Sequence, residues 1–184
     1  MTAFPSEQPL QLALLTISNR HSEATDDSGA MLIQALQQQG HQLYQRHFVP
    51  EDRYQIRASV SQLIADTSCQ VILLCGGTGF HAKNCTIDAI APLFDREVPG
   101  FGELFRALSF QKIGSAALQS GAIAGIANQT LIFAIPGSLD AAQLAADQLI
   151  WPQLLAHTKP CNFTSLLRRA GACGATQAET GTAR

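Results

Sequence analysis

The segment Val71-Ile72-Leu73-Leu74-Cys75 runs straight into Gly76-Gly77-Thr78-Gly79. Five residues with no polar position fit a strand covered on both faces, as in parallel sheets flanked by helices. Three glycines in four positions then let the backbone take positive φ and leave its amides open to a close ligand. The surrounding chain repeats the theme. Residues 12–17 (LALLTI) are a nearly unbroken apolar run, and residues 41–49 alternate as a strand does. Between them Met31, Leu32, Ala35 and Leu36 recur at helical spacing, after helix-starting Asp26, Asp27 and Ser28 and before Gly40. Past Pro50-Glu51-Asp52, residues Ile56, Val60, Leu63 and Ile64 form a second helical stripe. The order β-α-β-α-β predicts an α/β fold, a parallel sheet with helices packed on both faces.

The second half adds a helical stripe at Phe101, Leu104, Phe105 and Leu108. Residues 121–135 read as two strands turning near Asn128, an antiparallel hairpin at one edge. A helix from Leu139 to His157 is expected, interrupted at Pro152. At 184 residues this is one domain, expected over 11–163, with a loose leader over 1–10 and a flexible tail over 164–184.

Composition narrows the partners. A net charge of −2 argues against nucleic acid, which calls for a basic surface. No apolar run approaches the roughly 18–20 residues of a membrane span. The first residues have neither a basic nor an apolar signal region. Five dispersed cysteines without a C-x-x-C pair read as reduced thiols of a cytoplasmic protein, not as a zinc site.

In a doubly wound sheet, ligands bind beyond the C-terminal strand ends, where Gly76, Gly77, Thr78 and Gly79 fall. Successive amides there form a nest for an anion, and phosphate is the natural guest. The same spacing also fits a plain tight turn. A P-loop is excluded, since the Gly-Lys pair is missing. Gly77, Gly79 and Ala82 formally meet the dinucleotide fingerprint of a dehydrogenase, with Asp95 or Glu97 as the acidic partner. That partner should close a second strand, yet it lies in a Pro-bounded loop, and the glycines follow the third strand instead of opening the fold. Lys83 and Arg20 are the nearest candidate cations for a phosphate, and both also fit solvated surface charges. Met31 and Phe105 belong to core stripes, and the five histidines show no ligand spacing.

TISNR, DDSG, VPED, GGTG, DREVPGFGE, LFRALSF and TLIFAIPGS occur in this order. Together they resemble the molybdenum-cofactor biosynthesis protein B and molybdopterin adenylyltransferase family, over about residues 10–163. DREVPGFGE, LFRALSF and the closing KPCNF point to its bacterial B-type branch. The resemblance implies a three-layer α/β/α, molybdopterin-binding-like fold, with homo-oligomers, trimers or hexamers. It implies transfer of AMP from ATP to molybdopterin with Mg²⁺, releasing pyrophosphate. Catalytic roles carry over to Glu51, Asn84 and Asp88, with Glu51 and Asn84 as candidate Mg²⁺ ligands. Phosphate and substrate contacts carry over to Gly76, Gly77, Thr78, Gly79, Asp27, Ser28, Gly29, Glu97, Pro136, Gly137 and Ser138. Ser18 and Arg20 of TISNR and Ser120 of LQS join them. Asp27, Ser28 and Glu51 also fit helix caps, Asp88 a charge at a helix start, and Glu97 a surface charge.

The chemistry asked of such a site is electrostatic. The attacking phosphate oxygen is already anionic, so no base is required, but two polyanions must meet. Mg²⁺ takes one or two carboxylates besides phosphate oxygens and water. Two departures from the family weaken this arrangement. Asn84 stands where the family usually has a catalytic Asp, and Gly121 stands where the B-type branch usually has Arg. The alternative they imply is a molybdopterin- or nucleotide-binding relative with diminished turnover.

Overall fold

The computed structural model describes residues 9–168. Strands β1 (Gln11–Ile17), β2 (Gln42–Val49) and β3 (Val71–Cys75) alternate with helices α1 (Asp27–Gln38) and α2 (Arg53–Ala65). The short α3 (Thr86–Ile90), the two-residue β4 (Arg96–Glu97) and α4 (Pro99–Ile113) follow. Strands β5 (Ile123–Ala127) and β6 (Thr130–Ile135) and helices α5 (Leu139–Ala145) and α6 (Trp151–Leu154) complete the order. The six strands lie in the order β2-β1-β3-β6-β5-β4. Strands β2, β1, β3 and β6 are parallel, while β5 and β4 run antiparallel to their neighbours.

Alternation within the central strands sorts their side chains into two cores. Leu12, Leu14, Leu73, Leu131 and Phe133 face the layer of α1, α4 and α5. Leu15, Ile17, Ile72, Leu74 and Ile132 face α2 and α3, through Ile56, Val60, Leu63 and Ile90. The expected three layers are therefore present, with β3 and β6 buried along their whole length.

Four local features refine the sequence reading. The hairpin turns at Asn128 and Gln129, both at positive φ (47° and 60°), which suits the twist of a two-residue connection. The outer strand on that side is β4, within the segment read as a loop, because two residues carry no periodicity. Leu104 is 56% exposed, so α4 packs through Phe101 and Phe105. The last long helix ends at Leu154, short of His157, and widens into a π-turn over Ala146–Ile150. Pro152 has no N–H, and its ring presses on the carbonyl four residues back. The wider turn absorbs both.

The chain beyond Phe163 is described as far as Arg168. Leu167 is buried, and Arg168 reaches under the sheet. The rest of the expected tail, and residues 1–8 of the expected leader, lie outside the described residues.

Candidate functional site

Strands β1, β3 and β6 end side by side, and their three exits build the site. Thr16 and Cys75 are paired across β1 and β3, and Cys75 and Ile135 across β3 and β6. After β3 the chain turns through Gly76 (φ 109°) and Gly77 (φ 65°). A Cβ on Gly76 would stand 2.6 Å from the Ile17 carbonyl oxygen, and one on Gly77 would stand 2.4 Å from Thr86 Oγ1. Both positions therefore need glycine for conformation and for space.

The turn is fixed through its carbonyls. The buried Thr86 donates its hydroxyl to the Gly76 carbonyl at 2.9 Å, and its N–H to the Gly77 carbonyl at 3.0 Å. Gly76 N–H donates to the Ile135 carbonyl at 3.0 Å. The N–H groups of Gly77, Thr78 and Gly79 donate no hydrogen bond among the described residues. Three consecutive free amides on a clamped turn are what an anion-holding nest requires.

Two pockets flank this turn, and Gly77 lines both. The larger, about 600 Å³, lies between the turn, the start of α4 and the approach to β5. Thr78, Gly79, Asn84, Asp88, Glu97 and Ser120 of the predicted set line it. The smaller, about 360 Å³, lies between the turn, the β1 exit and α1. Ser18, Asp27, Ser28, Glu51, Gly76 and Gly137 line that one. Glu51 and Asn84, the two candidate Mg²⁺ ligands, thus line different pockets on opposite sides of the turn. Lys83 and Arg20 are exposed and line neither. Gly29, Pro136 and Ser138 do not line them either, although Gly29 is buried beneath the smaller pocket.

Individual partners sharpen these roles. Glu51 is half-buried, and Asn19 holds it through its backbone N–H at 3.1 Å and its carboxylate at 3.4 Å. Ser28 donates to the Gly137 carbonyl at 2.9 Å, tying α1 to the β6 exit. Asp88 is held by Arg53 at 3.1 Å. A Cβ on Gly79 would lie 2.9 Å from Asn84 Nδ2, so the Asn84 amide lies against the glycine turn. Gly121 approaches the turn more closely still. A Cβ there would lie 1.9 Å from the Thr78 carbonyl oxygen.

Asp26, by sequence a helix-starting residue like Asp27, holds a central place in the structure. It is buried at 5% exposure, caps α1 through Gly29 N–H at 2.9 Å and accepts the Thr16 hydroxyl at 2.5 Å. Arg46 lies 3.3 Å away and offsets its charge. Asp27, by contrast, is exposed, free to face the pocket. The doublet Asp26-Asp27 hid this division of labour, because both residue types suit a helix start. Cys75 also lines the smaller pocket, but burial pushes its thiol up to about 12, so it is no thiolate nucleophile. Among the described residues no group of three or more His, Cys, Asp or Glu side chains could hold a metal ion by itself.

Comparison with known proteins agrees with the architecture. Residues 13–156 match the family model described as a probable molybdopterin binding domain. The chain is 50% identical to molybdenum cofactor biosynthesis protein B of Escherichia coli K12 over 161 residues, covering 88% of this chain and 95% of that protein. It is 41% identical over 142 residues to the protein of the same name from Bacillus subtilis strain 168, covering 77% and 84% of the two. A crystal structure of molybdenum cofactor biosynthesis protein B superposes with a TM-score of 0.79 at 36% identity, over 82% of this chain and 94% of that one. The tungsten cofactor synthesizing protein MoaB from Pyrococcus furiosus superposes with a TM-score of 0.68 at 29% identity, over 76% and 89%. With this coverage and identity, and with the glycine turn where the fold places its ligand edge, the chain belongs to the molybdopterin-binding-domain family, on the branch of molybdenum cofactor biosynthesis protein B.

Proposed function

We propose that this protein acts in molybdenum cofactor biosynthesis and transfers AMP from ATP to the terminal phosphate of molybdopterin. The observation that carries the reading is that two pockets share Gly77 on a turn with three free amides. Adenylyl transfer needs two phosphorylated ligands to approach one point from different sides, and this arrangement suits it. A molybdopterin phosphate oxygen attacks the α-phosphorus of ATP. The new P–O bond forms as the bond to the β-phosphate's bridging oxygen breaks, and pyrophosphate leaves.

The chain's own residues supply orientation and charge compensation. The amides of Gly77, Thr78 and Gly79 bind the phosphate oxygens, and Thr86 holds the turn rigid behind them. Glu51 and Asp27 share one pocket, and Asp26 there is already offset by Arg46. Two carboxylates fit a Mg²⁺ that keeps water and nucleotide oxygens as its remaining ligands, so Glu51 and Asp27 would hold it. The ion supplies charge neutralisation between the two anions. Ser28 and Gly137, bonded to each other, keep that pocket's two walls together.

Incubation of the protein with molybdopterin, ATP and Mg²⁺ is expected to give adenylylated pterin and pyrophosphate. Absence of product, while an active family enzyme works alongside, would sink the reading. A second reading, a binding protein with diminished turnover, is favoured by Asn84. Its amide lies against the glycine turn but brings no charge. Asn84→Asp is the test: a large rise in rate with unchanged pterin affinity supports diminished turnover, and an unchanged rate removes it.

A further inference from the structure

We propose that Arg106 is the cation that receives the phosphate end of a ligand in the larger pocket. This rests on the reading above that the pocket takes a phosphorylated pterin, and it adds the residue that recognises the charge.

Arg106 stands in the middle of α4 and reaches back one turn along the helix, as helical side chains do. Its Nη1 and Nη2 lie 3.2 and 3.5 Å from where a Cβ of Gly102 would stand. Bare backbone at Gly102 is thus the groove in which the guanidinium rests, beside the Ala122 carbonyl, 2.7 Å from the same point. Arg106 is the one lysine or arginine among the residues lining this pocket. It makes no hydrogen bond or ion pair among the described residues. Arg53, whose partner Asp88 lines the same pocket, is already engaged at 3.1 Å.

The neighbouring charges make the placement selective. Glu97 and Glu103 also line the pocket, so an anionic ligand is repelled from their part of its wall. The glycine turn, Thr78, His81, Asn84 and Ser120 offer neutral donors there, and Arg106 alone offers a positively charged one that is not already engaged. A planar guanidinium with free N–H groups can hold two phosphate oxygens at once, which an ammonium cannot. No second cation can enter from position 121, where the family resemblance expects arginine. Any side chain there meets the Thr78 carbonyl, and the glycine turn would have to move. Arg106 therefore supplies the one cationic side chain of this wall.

The test is fluorescence titration of the full-length protein with neopterin monophosphate and with unphosphorylated neopterin. The parent protein is expected to prefer the phosphorylated probe. Arg106→Gln should weaken that probe roughly ten- to hundredfold, the range of a charged hydrogen bond, and leave neopterin unchanged. Arg106→Lys should recover part of the loss, and Gly121→Arg should give no gain. Arg106→Gln binding the phosphorylated probe as the parent does, or losing both probes alike, overturns the proposal while the pterin reading stands. So does equal affinity of the parent for the two probes. A parent protein that binds neither overturns the pterin reading itself and this proposal with it.

Discussion

At the N-terminal end of β3 and β6, Arg168 donates to the carbonyls of Ile64 and Asp66, each at 3.0 Å, to the Asn128 carbonyl and to the Thr130 hydroxyl at 2.7 Å. Gln70 closes the arrangement by donating to the Arg168 carbonyl at 2.7 Å. At the opposite end of the same strands, the Gly77, Thr78 and Gly79 amides have no partners among the described residues, and two pockets open. Every strand end faces the same difficulty, since the ladder stops and backbone groups lose their partners. One end answers it with a side chain brought from far along the sequence. The other leaves it unanswered among the described residues. The contrast teaches that the end that closes the fold and the end proposed to bind are segregated along the strand axis, with β3 as the strut between them.

The largest effect expected on this division comes from Gly76→Ala. The residue needs positive φ, and its Cβ would meet the Ile17 carbonyl oxygen at 2.6 Å. Strain and overpacking together should lower stability by about 3 kcal/mol in urea unfolding. A loss no larger than that of a surface substitution, under about 0.5 kcal/mol, would show that the turn is not built as described.

Arg168→Ala comes next, at about 2 kcal/mol, because several carbonyls lose a charged donor. Its signature is selectivity: pterin titration should not change. Equal damage to binding would end the claim that the two ends are separate.

Thr86→Val is expected to cost about 1–2 kcal/mol, since it leaves the Gly76 carbonyl without its donor in a buried place. Thr86→Ser should stay near the parent. Equal stability of the valine and serine variants would remove the clamp from the account.

The smallest effect tests the strut. Cys69 and Cys75 bracket β3, one at each end, and burial pushes both thiols from 9.0 up to about 12. Unfolded thiols lose their protons first as pH rises through this window, so each thiol's contribution falls, by about 0.4 kcal/mol at pH 9 and more towards pH 12. Cys69→Ala and Cys75→Ala should each flatten that alkaline loss. In native-state alkylation followed by peptide mass analysis, exposed Cys161 should react before either. Arg168→Ala should speed labelling of Cys69 alone, and Gly76→Ala that of Cys75 alone. Parallel acceleration of both thiols would mean that β3 opens as one unit.

Much of this arrangement was legible in the amino-acid order. The apolar run before Gly76 announced a strand buried on both faces, and the glycines announced the turn, because both signals are local. The alternation of strand and helix told which end of the sheet the glycine turn would occupy. What could not be read were long-range pairings. Nothing near Arg168 in the chain announces that it reaches Ile64 and Asn128. Nothing near Glu51 and Asn84 tells that they line opposite sides of the turn. Arg106 lies between members of a helical stripe, and only the spacing of Gly102 four residues earlier hints that its side chain has a groove to lie in. Gly121 read as the loss of a charge, whereas its backbone is a contact surface for Thr78.

The Cβ that Gly137 lacks would fall 3.2 Å from the α-carbon of Gly76. The bends leaving β3 and β6 therefore rest directly against one another, with no side chain as cushion. Displacement of either bend would therefore meet the other without a side chain to yield between them. A nucleotide settling beside Gly137, as proposed above, would press on Gly76 and through it on Gly77, the one residue that both chambers share.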